Sequence, residues 1–280
     1  MTTPKLGLCI GSYFKQPPEK VIGLIADTGF YAVSPVWSQD GLLQKTVVSA
    51  KANGLHVQSV HAPHRHCADM WSTDQARSAA ALAEFFTALH DCADLSVPIM
   101  VVHSWGGFDF SEGHLETGLK NFSRLVAEAQ KLGVQIAFEN LQGEQYLFAL
   151  MEHFKGFSHV GFCWDSGHEH CYSRDNSLLA EFGDRLIMTH LNDNLGVSNP
   201  DGTISSKDDL HFLPFDGIID WTEKIRQLQT ARRQDILNFE VKQFSKPYQK
   251  QNETYARQTF PEFLANVYQR AQIIASMYLN

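Results

Sequence analysis

The sequence predicts an α/β fold, a single (β/α)8 barrel of the TIM type, and three observations carry that prediction. Eight short apolar runs alternate with amphipathic helical stretches along 280 residues, glycines punctuate several returns from helix to strand, and four runs in the second half each stop on a metal-binding side chain. Those four ends are Glu139 in IAFE, Asp165 in GFCWD, His190 in IMTH and Glu240 in NFE. They lie about one βα unit apart, with a wider last gap that holds a long loop. Side chains spaced in this way meet only if parallel strands close on themselves. An open doubly wound sheet would spread them along its edge.

In chain order, strands are expected at KLGLCIG (5–11), YAVSPVW (31–37), HVQSVHAP (56–63), PIMVVHSW (98–105), QIAFEN (135–140), VGFCWDSGH (160–168), LIMTHLNDN (186–194) and ILNFEVK (236–242). The runs are almost continuously apolar, as strands covered on both faces must be. A helix is expected over 73–95, where Ala79, Leu82, Phe86, Leu89 and Ala93 repeat at three and four residues behind Ser72 and Gln75 as cap residues. The same pattern recurs over 112–132 through Leu115, Leu119, Phe122, Val126 and Ala129. Gly29, Gly54 and Gly133 stand where left-handed helix ends are expected. Two aperiodic stretches, 194–209 and 242–258, read as long loops after the seventh and eighth strands. Both would lie on the rim at the C-terminal ends of the strands, as lids or subunit contacts, the second carrying Phe244, Tyr248 and Tyr255.

A hydrophobic content of 44% is enough to bury a full core, and the length suits one domain over residues 1–280. The net charge of −8 disfavours nonspecific binding to nucleic acid and favours a small neutral or polar substrate. Five scattered cysteines without a CxxC pair read as free thiols in a reducing compartment. The N-terminal MTTPKLGLCIG lacks the pattern of a secretory signal, and no uncharged apolar run reaches the roughly 20 residues that span a bilayer. A cytoplasmic protein without a membrane partner is therefore expected, with homo-oligomerisation left open.

Glu139, Asp165, His190 and Glu240 offer three carboxylates and one imidazole, a mixed oxygen and nitrogen set suited to Mn²⁺, Mg²⁺, Co²⁺ or Zn²⁺. His61 in HAP and His103 in VVHSW end the third and fourth strands, so both are expected to face the same cavity from the opposite wall and bind substrate hydroxyls. His64 and His66 read as ordinary loop residues.

The segments FEN (138–140), WDSGH (164–168), HLNDN (190–194) and DLHFLPFDGIIDW (209–221) together resemble the xylose isomerase-like TIM barrels. That superfamily includes sugar isomerases, ketose 3-epimerases, inosose-processing enzymes and endonuclease IV, and the resemblance covers essentially the whole chain. It implies that Glu139, Asp165, His190 and Glu240 hold one divalent ion, with Mn²⁺ the leading candidate. It further implies that Glu139 and Glu240 are the catalytic acid and base, and that His168 and His211 contact substrate. The implied activity is isomerisation or epimerisation of a ketose, keto-inositol or related sugar or polyol through an enediolate, within carbohydrate metabolism.

Two departures narrow the reading. Ketose 3-epimerases carry an acid six residues after the first metal glutamate and an arginine six after the metal histidine, where this chain has Gln145 and Gly196. Lys207 is the one cation expected on the rim after strand seven, thin support for a phosphate. Three alternatives stay open: a keto-sugar lyase or dehydratase on the same metal site, a non-enzymatic binding barrel, and a three-zinc endonuclease IV-like enzyme for abasic sites. The last would use His61, His103, Glu139, Asp165, His168, His190, Asp209, His211 and Glu240.

Overall fold

The computed structural model describes residues 3–11, 17–111, 113–173, 177–244 and 253–280. The strands are β1 (Lys5–Ile10), β2 (Ala32–Pro35), β3 (His56–Val57), β4 (Val60–His61), β5 (Ile99–His103), β6 (Gln135–Glu139), β7 (Val160–Asp165), β8 (Leu186–His190) and β9 (Ile236–Phe239). They form two parallel sheets, ordered β3-β2-β1-β9 and β4-β5-β6-β7-β8. Parallel bridges join the sheets at both seams, Val36 with His61 and Leu191 with Phe239. At the second seam Leu191 N donates to Asn238 O at 2.9 Å, Glu240 N donates to Leu191 O at 3.1 Å, and the Thr189 hydroxyl accepts from Asn238 N at 3.0 Å. The result is the (β/α)8 barrel the sequence predicts.

The expected third strand, HVQSVHAP, is broken into β3 and β4. Gln58 N still donates to Val33 O at 3.0 Å, so the chain remains against β2. Its ladder then passes to β5, where Val60 faces Met100 and His61 faces Val101. The sixth run, VGFCWDSGH, ends its strand at Asp165 as expected, and its last residues, Ser166 to His168, open the helix that Asp165 caps.

The helices are α1 (Pro18–Thr28), α2 (Leu42–Ala52), α3 (Gln75–Asp94), α4 (Leu115–Leu132), α5 (Glu144–His153), α6 (Ser166–Tyr172), α7 (Leu178–Phe182), α8 (Trp221–Thr230), α9 (Glu253–Ala256) and α10 (Phe260–Leu279). Gly29 and Gly133 end α1 and α4 with φ of 107° and 70°, and Gly54 follows α2 with φ of 74°. The cap of α3 is Asp74, whose carboxylate accepts from Ala76 N and Arg77 N, and Ser72 and Gln75 do not serve. The buried stripe of α3 keeps the expected Leu82 and Leu89 but otherwise runs one residue earlier, through Ser78, Phe85 and Cys92. Phe85 is fully buried and Ala79 is exposed, because Ser78 faces α4 and accepts from Asn121 Nδ2 at 2.7 Å. In α4 the stripe holds from Phe122 to Ala129, while Leu115 at the first turn is 48% exposed. α10 begins with a capping box between Thr259 and Glu262, and packs against α1, α8 and β1.

The loop at 194–209 has no regular element, as expected, whereas the 242–258 stretch contains α9, with Tyr255 buried against Phe212 and Phe263. Tyr248 lies outside the described residues. All five cysteines are free thiols. No helix among the described residues is long and apolar enough to cross a membrane.

Strand parity places the site. Ile99, Val101, Ala137, Cys163 and Met188 form a small apolar cluster separate from the main core between sheet and helices. Two residues further along the same faces stand His103, Glu139, Asp165 and His190, because side chains in a strand alternate with a period of two. Cross-strand register then sets His103 beside Glu139 and Asp165 beside His190.

Candidate metal centre

Glu139 is the hub. Its Oε1 lies 3.0 Å from His190 Nδ1 and 3.5 Å from His168 Nδ1, and its Oε2 lies 3.2 Å from His61 Nε2 and 3.3 Å from His103 Nε2. Glu240 arrives from β9, with Oε2 2.9 Å from His190 Nδ1. Asp165 completes the four, and donor atoms of Glu139, Asp165, His190 and Glu240 all lie within 4.8 Å of one another. The four residues named from strand ends are thus brought together, and His61 and His103 reach the same carboxylate from β4 and β5.

The sequence motifs are accounted for by how they hold these donors. Asn140 of FEN brackets the Asp165 backbone, accepting from its N at 2.7 Å and donating to its O at 2.8 Å. Asp165 Oδ1 caps α6 by accepting from His168 N at 2.7 Å, and Oδ2 accepts from Asn192 Nδ2 at 2.9 Å. Gly167 of WDSGH is required by closeness, since a Cβ there would stand 1.9 Å from Asn192 Oδ1. Asp193 of HLNDN gathers the PFDGIIDW segment: its carboxylate accepts from Asn194 N, Phe215 N and Trp221 Nε1 at 2.8 Å each and from Ile219 N at 3.1 Å.

A second cluster stands beside the first. Asp209 Oδ1 is 2.5 Å from His211 Nε2 and 3.5 Å from His168 Nε2, and its Oδ2 is 3.1 Å from Lys242 Nζ. His211 adopts φ of 51°, a left-handed conformation that β-carbon sterics make uncommon and that concentrates at functional sites. Its Nδ1 lies 2.9 Å from Glu240 O, which turns Nε2 toward Asp209.

Burial would raise the acids, but the imidazoles outweigh it at two of them. Burial pushes Glu139 up, whereas His190 and His103 hold it well below the usual carboxylate range, and His190 and His211 do the same for Glu240. Asp165 stays raised, with burial only partly offset by His168 and His211. Burial would lower His190, but the neighbouring Cys163 and Cys9 and the Glu139 and Glu240 carboxylates hold it well above the ordinary imidazole value. The carboxylates are the charged neighbours at neutral pH, since burial pushes the Cys9 thiol up to about 11 and Cys163 higher still. His61 and His103 split: burial depresses both, the neighbouring Glu139 carboxylate lifts His61, and His103 stays low, so one imidazole donates across their 3.1 Å Nε2 contact and the other accepts.

The donor set fits a divalent cation. Glu139 Oε2 and Glu240 Oε2 are buried and close to imidazole nitrogens, yet neither is aligned in a hydrogen bond. Although Glu139 Oε1 and His190 Nδ1 share a 3.0 Å hydrogen bond, buried oxygens left unpaired among converging nitrogens are arranged for a common central partner. Four further groups among the described residues have the same compactness: two add Cys9 or Cys163 to His190 and one of the glutamates, and the others are His61 with His103 and Glu139, and His168 with Asp209 and His211. Metal binding needs a neutral imidazole, and the raised pKa of His190 favours its protonated form in the metal-free protein. Affinity is therefore expected to rise from pH 6 to pH 8, with proton release seen by calorimetry in buffers of different ionisation enthalpy. A pH-independent affinity would contradict it.

Above the donors lies a cavity of about 190 Å³ whose lining includes His61, His64, His103, His168, Asp209, His211, Glu240 and Lys242, with Gly106, Phe108, Leu141 and Tyr172 as walls. That is below the roughly 300–1,000 Å³ of drug-sized sites and matches a small polar molecule. His64, exposed in the loop after β4, borders this cavity, whereas His66 is exposed and pairs with Glu84 at 2.9 Å. Lys207 is exposed and Gln145 points outward from α5, so neither is part of the cavity lining. Lys242 is a charged cavity-lining residue that the sequence reading missed. The signal was available, because Lys242 lies two residues beyond Glu240 and so shares its face.

The sequence profile of the xylose isomerase-like TIM barrel family matches residues 22–264. The chain belongs to that family. One curated relative, the uncharacterized protein y4fM of Sinorhizobium fredii (strain NBRC 101917 / NGR234), is 37% identical over 128 residues, 44% of this chain and 38% of that protein. The match thus spans well under half the length of that relative. Among solved structures, IOLI protein with a binding zinc atom superposes with a TM-score of 0.75 at 16% identity, covering 97% of this chain and 98% of that one. A D-psicose 3-epimerase determined in the presence of D-fructose gives 0.72 at 17% identity, covering 99% and 100%. At such identities the likeness concerns the fold.

Proposed function

We propose that this xylose isomerase-like barrel is a divalent-metal-dependent isomerase or epimerase acting through an enediolate on a ketose, keto-inositol or related polyhydroxy carbonyl compound. The observation that carries the reading is the bracketing of His190 Nδ1 by Glu139 at 3.0 Å and Glu240 at 2.9 Å, two glutamates from strands separated by β7 and β8 in the barrel. A divalent ion held by Glu139, Asp165, His190 and Glu240, with Mn²⁺ first among candidates, supplies the Lewis acidity that polarises a bound carbonyl. One glutamate takes the proton from the carbon next to the carbonyl. The other delivers a proton to the opposite face of the planar enediolate, which inverts that centre. Delivery to the neighbouring carbon gives aldose–ketose isomerisation instead, and loss of a hydroxyl from the same intermediate would make the protein a dehydratase. His61, His103, His168 and His211 line the cavity around this position and supply partners for substrate hydroxyls. The D-psicose 3-epimerase fold likeness supports sugar chemistry of this kind.

A second reading has one specific observation in its favour. All nine residues of a three-zinc phosphodiester site fall in three compact donor groups, two of which share Glu139. Metal content separates the two: the purified protein is expected to hold about one divalent ion per chain by plasma mass spectrometry, most of it manganese or magnesium. About three zinc ions per chain would replace the sugar reading with the nuclease, and none after supplementation would leave a binding barrel.

A further inference from the structure

We propose that Lys242 acts as a built-in cation for the His168–Asp209–His211 triad, taking the charge-balancing place of an ion there and keeping the metal centre confined to the group around Glu139. The inference rests on the one-ion sugar reading and adds a determinant of it. Three donors within 4.8 Å of one another make the triad a plausible ligand set on geometry alone. What distinguishes it from the neighbouring group is the ammonium: Lys242 is 2% exposed, and its Nζ lies 3.1 Å from Asp209 Oδ2 while His211 and His168 address Oδ1.

The placement is constrained by the backbone as well as by charge. Lys242 N donates to His211 O at 3.0 Å, and Glu240 O faces His211 Nδ1 at 2.9 Å, so the two residues are tied together on both sides of the pair. The backbone that carries Lys242 is thus fixed beside the triad, in the segment that also delivers Glu240. A buried ammonium is tolerated only while a carboxylate stays beside it, and a dication drawing on Asp209 would both compete for that carboxylate and sit within repulsive range of the ammonium. Loading the triad would cost the protein its pairing for Lys242. With Lys242 in place, Asp209, His168 and His211 instead present a neutralised polar wall to substrate hydroxyls.

The test counts ions. Wild-type protein, Lys242→Met, Lys242→Arg and Lys242→Met/His211→Ala are dialysed against equal zinc or manganese and measured by plasma mass spectrometry and native mass spectrometry, with folding checked by circular dichroism. Expected are one ion for wild type and Lys242→Arg, two for Lys242→Met, and one for the double variant. An unchanged count in folded Lys242→Met overturns the inference while leaving the sugar reading intact, whereas no ion or three ions in wild type overturns the sugar reading itself. Should Lys242→Met fail to fold, His211→Ala in the wild-type background decides: an unchanged count is required, and a loss of one ion shows the triad loaded despite Lys242.

Discussion

Glu139→Gln is expected to abolish exchange of solvent protons into a substrate ketose, and Glu240→Gln to do the same. General acid–base groups of this kind contribute roughly 10²–10⁴-fold each, so either variant should lose at least that much turnover. Glu139→Gln is expected to be the more severe, because its two oxygens face two different sets of imidazoles and the amide would also weaken the ligand group it shares. Glu240→Gln leaves Glu139, Asp165 and His190 as donors, so its loss should fall mainly on proton transfer. The measurement is deuterium wash-in followed by NMR in metal-supplemented buffer, with metal content recorded for each variant. Full exchange in both variants would remove the glutamates from the chemistry, and full exchange in one would show that a single acid–base group serves both faces.

Asp193→Ala should be the largest stability defect among single changes outside the donor groups. The side chain is fully buried and its carboxylate accepts four hydrogen bonds, three from backbone amides and one from the Trp221 indole. Each buried donor left without an acceptor costs about 1–3 kcal/mol, and allowing for partial rescue by water the total is roughly 3–5 kcal/mol. At about 2–4 °C per kcal/mol for a chain of this size, the melting temperature should fall by roughly 6–20 °C. Asp193→Asn should be milder, since the amide oxygen keeps two of the bonds. A melting curve within about 2 °C of wild type would show that the loop after β8 is held by its apolar packing and not by this carboxylate.

The barrel was legible because its strands are nearly uniformly apolar and end on polar side chains of one parity, so both the sheet type and the convergence of Glu139, Asp165, His190 and Glu240 follow from alternation. His61 and His103 were legible for the same reason. Features that depend on contacts distant in the chain were not. The break between β3 and β4 reflects a ladder changing partners, which leaves no trace in the run HVQSVHAP. The rotation of the α3 stripe toward Phe85 is set by Asn121, more than forty residues away along the chain. Asp209 stands in an aperiodic loop, where no period predicts direction, and its pairing with Lys242 unites two loops that local pattern cannot relate. The strand end at Asp165 was legible, but not that the same residue also caps the helix that follows.

The two-sheet construction of the wall gives the donor group a mechanical meaning. Glu139, Asp165 and His190 ride on one half-shell, and Glu240 rides on the other, across the seam where Leu191 bridges Phe239. A cation gripped by all four would be a clasp at that seam. Chelation would then relax the closure of the shell as well as silence its chemistry, and the slackening should begin at β8 and β9, with the unbroken run from β5 to β7 yielding last.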